Sequence, residues 1–201
     1  MSKKFKAIIL IIVFVLLVAF AYVLYQQLSK DLASSQLIVH TQPTTTSTDL
    51  SETSPTEKDE PIHFAPNFLV YDADGNKVHL SDYIGKPIVL NFWASWCGPC
   101  KMEMPDFNEK YLEMGTEIHF LMINMTDGAR ETVDVAASFI DSQGYTFPVF
   151  YDTAGSAAMI YGVYSLPTTY FINAQGHLIA QAMGAIDAET LQTGIDLITS
   201  D

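Results

Sequence analysis

The sequence predicts an α/β domain, one central mixed sheet flanked by helices, behind an apolar N-terminal segment and a polar connector. Three observations predict it. The run Ile88 to Ala94 is apolar apart from Asn91, the pattern of a strand buried on both faces. Strand-like runs then alternate with helix-period segments and close in a hairpin, the order of a layered α/β structure. Composition also shifts twice, and the last part, 61–201, is of ordinary size for a single domain.

From the N-terminus, residues 1–6 carry Lys3, Lys4 and Lys6, and residues 7–25 are uncharged and almost wholly apolar. About 20 such residues, at about 1.5 Å rise each, span a bilayer core. The lysines ahead of the run place the N-terminus in the cytoplasm, so a single-pass cell-membrane anchor with an extracytoplasmic domain is expected. A cleaved signal peptide is the rival reading, because Ala19-Phe20-Ala21 is a small-x-small site. Continuation of the apolar run through Tyr22-Val23-Leu24-Tyr25 favours the uncleaved anchor. Residues 26–60 include Thr41-Gln42-Pro43-Thr44-Thr45-Thr46-Ser47-Thr48 and read as a disordered linker. Such a composition buries too little apolar surface to offset chain entropy.

Net charge is −13, and in 61–201 only Lys77, Lys86, Lys101, Lys110 and Arg130 oppose the acidic residues. Nucleic acid binding, which needs clustered Lys and Arg on phosphates, is therefore excluded as an expectation. A monomer is expected.

Within the domain, Phe68-Leu69-Val70-Tyr71 and Lys77-Val78-His79-Leu80 flank Asp72-Ala73-Asp74-Gly75-Asn76, a hairpin with an Asp-Gly turn. A calcium loop is the sharper alternative there, but further ligands and the closing Glu are missing. The core strand 88–94 follows. A helix from Cys97 to about Met114 must accommodate Pro105, which removes a hydrogen bond and kinks it. Ile118 to Ile123 is the next strand, with His119 a packed or edge histidine. Val135, Phe139 and Ile140 give helical spacing between Glu131 and the stop at Gly144. Phe147 to Tyr151 is a short strand, and Ala157 to Tyr161 a short helix. Thr168 to Ile172 and His177 to Gln181 form a hairpin. Asp187 caps a last helix carrying Leu191, Ile195 and Ile198 inward.

The chemistry concentrates in Trp96-Cys97-Gly98-Pro99-Cys100, which holds the two cysteines of the chain. A strand leading into Cys-x-x-Cys at a helix start is a thiol–disulfide exchange site. Unpaired N–H groups and the helix dipole favour thiolate at the first cysteine, and the second, one turn on, can attack a mixed disulfide formed there. An inert disulfide and half of a zinc site are the bland readings. The zinc reading lacks ligands, since His40, His63, His79, His119 and His177 show no clustered spacing. No metal and no cofactor are expected.

Over about residues 62–199 the chain resembles the thioredoxin superfamily, and more closely its membrane-tethered TlpA/ResA-like branch. The resemblance rests on Asn91-Phe92-Trp93-Ala94-Ser95-Trp96-Cys97-Gly98-Pro99-Cys100, Glu103, Pro105, Phe147-Pro148, Asp152, Tyr161-Gly162-Val163, Leu166-Pro167-Thr168 and Gly184. It implies a thioredoxin-like fold with a central insertion over 124–148. Cys97 would be the exposed attacking cysteine, Cys100 the buried resolving one, and Gly98-Pro99 the active-site loop. Pro167 would be a cis-proline facing the disulfide, with Trp96, Leu166 and Thr168 beside it as substrate-binding residues. Where thioredoxin has a buried aspartate this chain has Asn91, and Glu103 takes the place of the branch's proton-carrying glutamate. A carboxyl buried beside a thiol exchanges a proton near neutral pH. A solvated helix glutamate is the bland alternative.

The expected function is an extracytoplasmic thiol:disulfide oxidoreductase acting as a reductant of protein disulfides. By resemblance its targets include apocytochrome c, and its electron donor is a membrane protein of the CcdA/DsbD type. A disulfide-forming oxidase of the same fold is the alternative. A peroxidase is disfavoured because Ala94 stands where peroxiredoxins carry Thr or Ser, and a non-catalytic tethered module is the remaining class.

Overall fold

The structure is a computed structural model that describes residues 63–200, Leu37–Val39, Leu17 and Phe20. The chain divides into two units, Met1–Gln36 and Leu37–Asp201. In the first, Leu17 and Phe20 are helical and exposed; the rest of the expected span 7–25 lies outside the described residues, as do residues 1–6. No helix among the described residues is long and apolar enough to cross a membrane.

The second unit begins with a strand that the linker reading of 26–60 did not contain. Leu37–Val39 (β1) pairs antiparallel with the far end of the sheet, Leu37 opposite Ala182 and Val39 opposite Ala180. The three consecutive apolar residues, two of them β-branched, suit an extended edge, and Leu37 packs on the core. The remainder of 26–60 lies outside the described residues.

Leu69–Tyr71 (β2) and Lys77–His79 (β3) form the expected hairpin. Its turn is closed by Asp72, whose Oδ1 accepts from the N–H groups of Asp74 and Asn76 at 3.0 and 2.8 Å. Gly75 takes φ 80° there, which a side chain would resist. A short 3-10 turn, Leu80–Tyr83, leads to Ile88–Trp93 (β4), buried at every position. Gly98–Met114 (α1) continues as one helix through Pro105, whose missing N–H forfeits the bond to the carbonyl of Lys101. His119–Asn124 (β5) runs parallel to β4, and His119 packs edge-on against Tyr83. Val133–Gln143 (α2) is capped by Thr132 and stopped by Gly144 in the left-handed region. Val149–Tyr151 (β6) and Ser156–Ile160 (α3) follow. Thr168–Ile172 (β7) and Leu178–Met183 (β8) are antiparallel, and Ala188–Thr199 (α4) starts on its Asp187 cap.

The sheet order is β1-β8-β7-β4-β5-β6-β2-β3, with β4 between parallel β5 and antiparallel β7. Alternation along β4 divides the core. Val89 and Trp93 pack with Met104 and Phe107 of α1, Ala136 of α2, and Leu191 and Ile195 of α4. Leu90 and Phe92 face the other way, toward Ala157 of α3, Tyr161, Phe68 and Tyr170. Asn91 shares the side of Val89 and Trp93, and this puts a polar group beneath α1. Each fully buried Leu, Ile or Phe contributes about 1.5–3 kcal/mol relative to exposure. Among the described residues the single ion pair is Lys110–Glu113 on the surface, so the core carries the stability.

Candidate active site

The site lies where β4 ends and α1 begins. Ala94 to Cys97 forms a tight turn closed by the Cys97 N–H on the Ala94 carbonyl, 3.1 Å. Cys97 is the N-cap of α1, and Pro99 occupies the first turn, where no N–H is needed. The two sulfurs are joined, with Cα atoms 5.3 Å apart, and the Cys100 N–H donates to Cys97 Sγ at 3.2 Å. That contact is how a helix N-terminus stabilises sulfur-centred negative charge when the pair is reduced.

The expected contrast in exposure is small in this joined state. Cys97 is 4% exposed and Cys100 0%. Their difference lies in access: Cys97 lines a groove of about 530 Å³ and Cys100 does not. Trp96, Gly98 and Pro99 line the groove together with Met125 and Asp127, just after β5, and Val163 to Leu166. Trp96 is half exposed and carries the Arg130 guanidinium over its ring at 4.2 Å. The Leu166–Pro167 bond is cis. Leu166 lines the groove, whereas Pro167 and Thr168 are buried behind it. The carbonyl of Pro167 accepts from the Gly184 N–H, and the Thr168 hydroxyl donates to the carbonyl of Ser165. Among the three residues of that segment expected to meet substrate, Leu166 is the one at the groove surface.

Glu103, three residues after Cys100 and on the same inner face of α1, is 1% exposed. Its Oε1 accepts from Asn91 Nδ2 at 2.8 Å and its Oε2 from the Ile186 N–H at 3.0 Å. Burial pushes its carboxyl up to about 8, against the lowering effect of those two donors and with a further push from Asp106. A carboxyl poised there exchanges a proton at neutral pH. Asn91 also donates to Thr169 Oγ1 at 3.0 Å, while Asn91 Oδ1 and Trp93 Nε1 are buried without a hydrogen-bond partner among the described residues. The Lys101 ammonium lies 5.7 Å from the centroid of the Phe139 ring.

Sequence reasoning did not single out Glu131, Asn124 or Arg130. Glu131 is fully buried and accepts from Ser95 and Asn124. The available signal was weak: polar residues at the C-terminal ends of two otherwise apolar strands.

A helix-initiating disulfide at the end of the central strand, opening on a groove across from the start of β7, defines a thioredoxin-like thiol–disulfide exchange protein. The chain belongs to the AhpC/TSA family, whose model matches residues 62–181. It is 40% identical over 138 residues to the thiol-disulfide oxidoreductase ResA of Bacillus thuringiensis, covering 67% of this chain and 76% of that one. ResA of Bacillus subtilis is 33% identical over 135 residues, 67% of this chain and 73% of its own. The crystal structure of StoA from Bacillus subtilis superposes with a TM-score of 0.56 at 27% identity, over 67% of this chain and 99% of StoA. The chain is accordingly a thiol-disulfide oxidoreductase of the ResA/StoA type.

Proposed function

We propose that the domain works on the extracytoplasmic side of the cell membrane, held there by residues 7–25, and reduces disulfides of other proteins. Cys97 as thiolate attacks a substrate disulfide, forming a mixed disulfide and releasing one substrate thiolate. Cys100, deprotonated by Glu103, attacks the Cys97 sulfur, releases the second substrate thiolate and leaves Cys97–Cys100 joined. Two electrons pass from the dithiol to the substrate and no cofactor enters. A membrane dithiol donor of the CcdA/DsbD type returns the pair to its reduced form, and apocytochrome c is the leading substrate.

The observation that carries this reading is the buried Glu103, hydrogen-bonded by Asn91 and the Ile186 N–H, on the same inner face of α1 as Cys100. A proton acceptor there serves release of substrate from a mixed disulfide, the step a reductant must complete. The Gly98-Pro99 dipeptide of the strongly reducing thioredoxins supports the same direction.

Cys100→Ala removes the resolving thiol, so partners should accumulate as reductant-sensitive adducts on Cys97. Their identification by mass spectrometry is expected to return membrane or secreted proteins with paired cysteines. Solely cytoplasmic partners would overturn the location, and no adducts above a Cys97→Ser, Cys100→Ala control would overturn the exchange itself. Redox titration separates reductant from oxidase: a midpoint near that of DsbA, about −120 mV, would favour the oxidase.

A further inference from the structure

We infer that Glu131 is a positioning residue for the exchange reaction, holding the turn that delivers Cys97 to the groove. Its carboxylate is completely buried, and two of its three hydrogen bonds go to one residue, Ser95. Oε1 accepts from the Ser95 N–H at 2.7 Å and from Asn124 Nδ2 at 2.6 Å, and Oε2 accepts from the Ser95 hydroxyl at 2.6 Å. Asn124 is fixed in turn, since its Oδ1 accepts from the Thr126 hydroxyl at 2.9 Å. The carboxylate thus ties the end of β4 to the end of β5 directly beneath the active-site turn.

Closure of its own loop does not need this side chain. Asp127 Oδ1 accepts from the N–H groups of Ala129 and Glu131, and the Gly128 N–H donates to the Glu131 carbonyl. The preceding residue grips the same turn, because Arg130 lies over the ring of Trp96. Consecutive loop residues 130 and 131 therefore hold consecutive turn residues 96 and 95, leaving Cys97 as the next residue out. Burying a carboxylate is costly, and its bonds are correspondingly strong and directional. Attack on a disulfide needs the sulfur held within a fraction of an ångström of its line of approach, so slack in this turn slows exchange without removing a reacting atom.

The inference rests on dithiol exchange at Cys97 and not on the direction, substrate or location proposed above. The chemistry of the three bonds supplies a conservative rescue. In Glu131→Gln the amide oxygen keeps both bonds of Oε1, and Nε2 donates to the Ser95 hydroxyl, which turns to accept. Glu131→Ala deletes all three bonds, and Ser95→Ala deletes one. The test uses the full-length chain and two readouts: the rate of insulin disulfide reduction, and the pH profile of Cys97 alkylation by iodoacetamide in the reduced protein. Glu131→Ala should slow insulin reduction ten-fold or more and displace the alkylation profile. Glu131→Gln should stay within about three-fold of wild type, with Ser95→Ala between the two. A folded Glu131→Ala with wild-type rate and alkylation profile overturns the inference. Equal slowing in Glu131→Ala and Glu131→Gln with both alkylation profiles unmoved also overturns it, since Glu131 is then only a structural plug. If Glu131→Ala does not fold, Ser95→Ala decides: slowed exchange supports the assignment and wild-type behaviour in both readouts overturns it. A wild-type chain inactive on insulin would count against the exchange reading, and the alkylation profiles would still compare the variants.

Discussion

At Glu103 burial outweighs two donated hydrogen bonds, and the balance has a consequence for stability. Its carboxyl titrates at about 8 in the folded domain against an ordinary value of 4.5. The unfolded chain ionises first as pH rises. The contribution of Glu103 is therefore fully present below pH 4.5 and is lost progressively as pH climbs to about 8. The loss is on the order of a few kcal/mol. Glu103→Gln should flatten that slope: urea unfolding of the disulfide form from pH 4.5 to 8 should show the variant gaining on wild type as pH rises. A constant difference would mean that the carboxyl does not titrate in this window. The two cysteines stood out in the sequence as a contiguous Cys-x-x-Cys at a helix start, whereas Glu103 was singled out through the resemblance alone. Glu131 was not, because its bonds reach Ser95, 36 residues away, and its neighbours describe a helix that begins two residues later. The limited exposure of Cys97 was equally hidden, since the groove is lined in part by Met125, Asp127 and residues 163–166, distant in sequence.

Elements were legible where their causes are local. The Asp72 turn, the Asp187 cap and the Gly144 stop each act within a few residues, and each bounds the element expected there, while the Thr132 cap starts α2 at Val133 and not at the expected Glu131. Strand extents were less so. β8 runs to Met183, past the expected Gln181, because it is paired on both sides, with β7 and with β1. β1 itself exists through pairing with residues more than a hundred positions on, and no short-range pattern reports that. Packing of α4 on the sheet sets another limit. A Cβ added at Gly194 would collide with the ring of Phe171 in β7. Gly194→Ala should therefore destabilise the domain by about 1–3 kcal/mol despite better helix propensity, read as a lower urea midpoint. An unchanged or raised midpoint would show that α4 shifts freely on the sheet.

Over the whole molecule, both ends of the eight-stranded sheet are closed by three-residue strands, β1 and β3. Short edges offer little for another chain to pair with. A chain lacking residues 1–40 uncovers the six-residue β8, whereas one lacking 1–35 keeps it covered. The shorter chain should melt lower and show a larger mean mass by light scattering at high concentration; identical behaviour of the two would mean that β1 does not hold its place. The mixed sheet was legible from the strand and helix order, but its outermost strand was not, because the polar composition of 26–60 masked a three-residue exception. That same strand determines how the domain answers a mechanical load. Tension applied upstream of Leu37 meets the three residue pairs of β1 and β8 before it reaches the central strands. Those three pairs are the first link along that path, three residues set against six in β8 and in β4 behind it. The β4–α1 junction lies three strands further in, so parting β1 from β8 leaves the pairs of β4 with β5 and β7 intact.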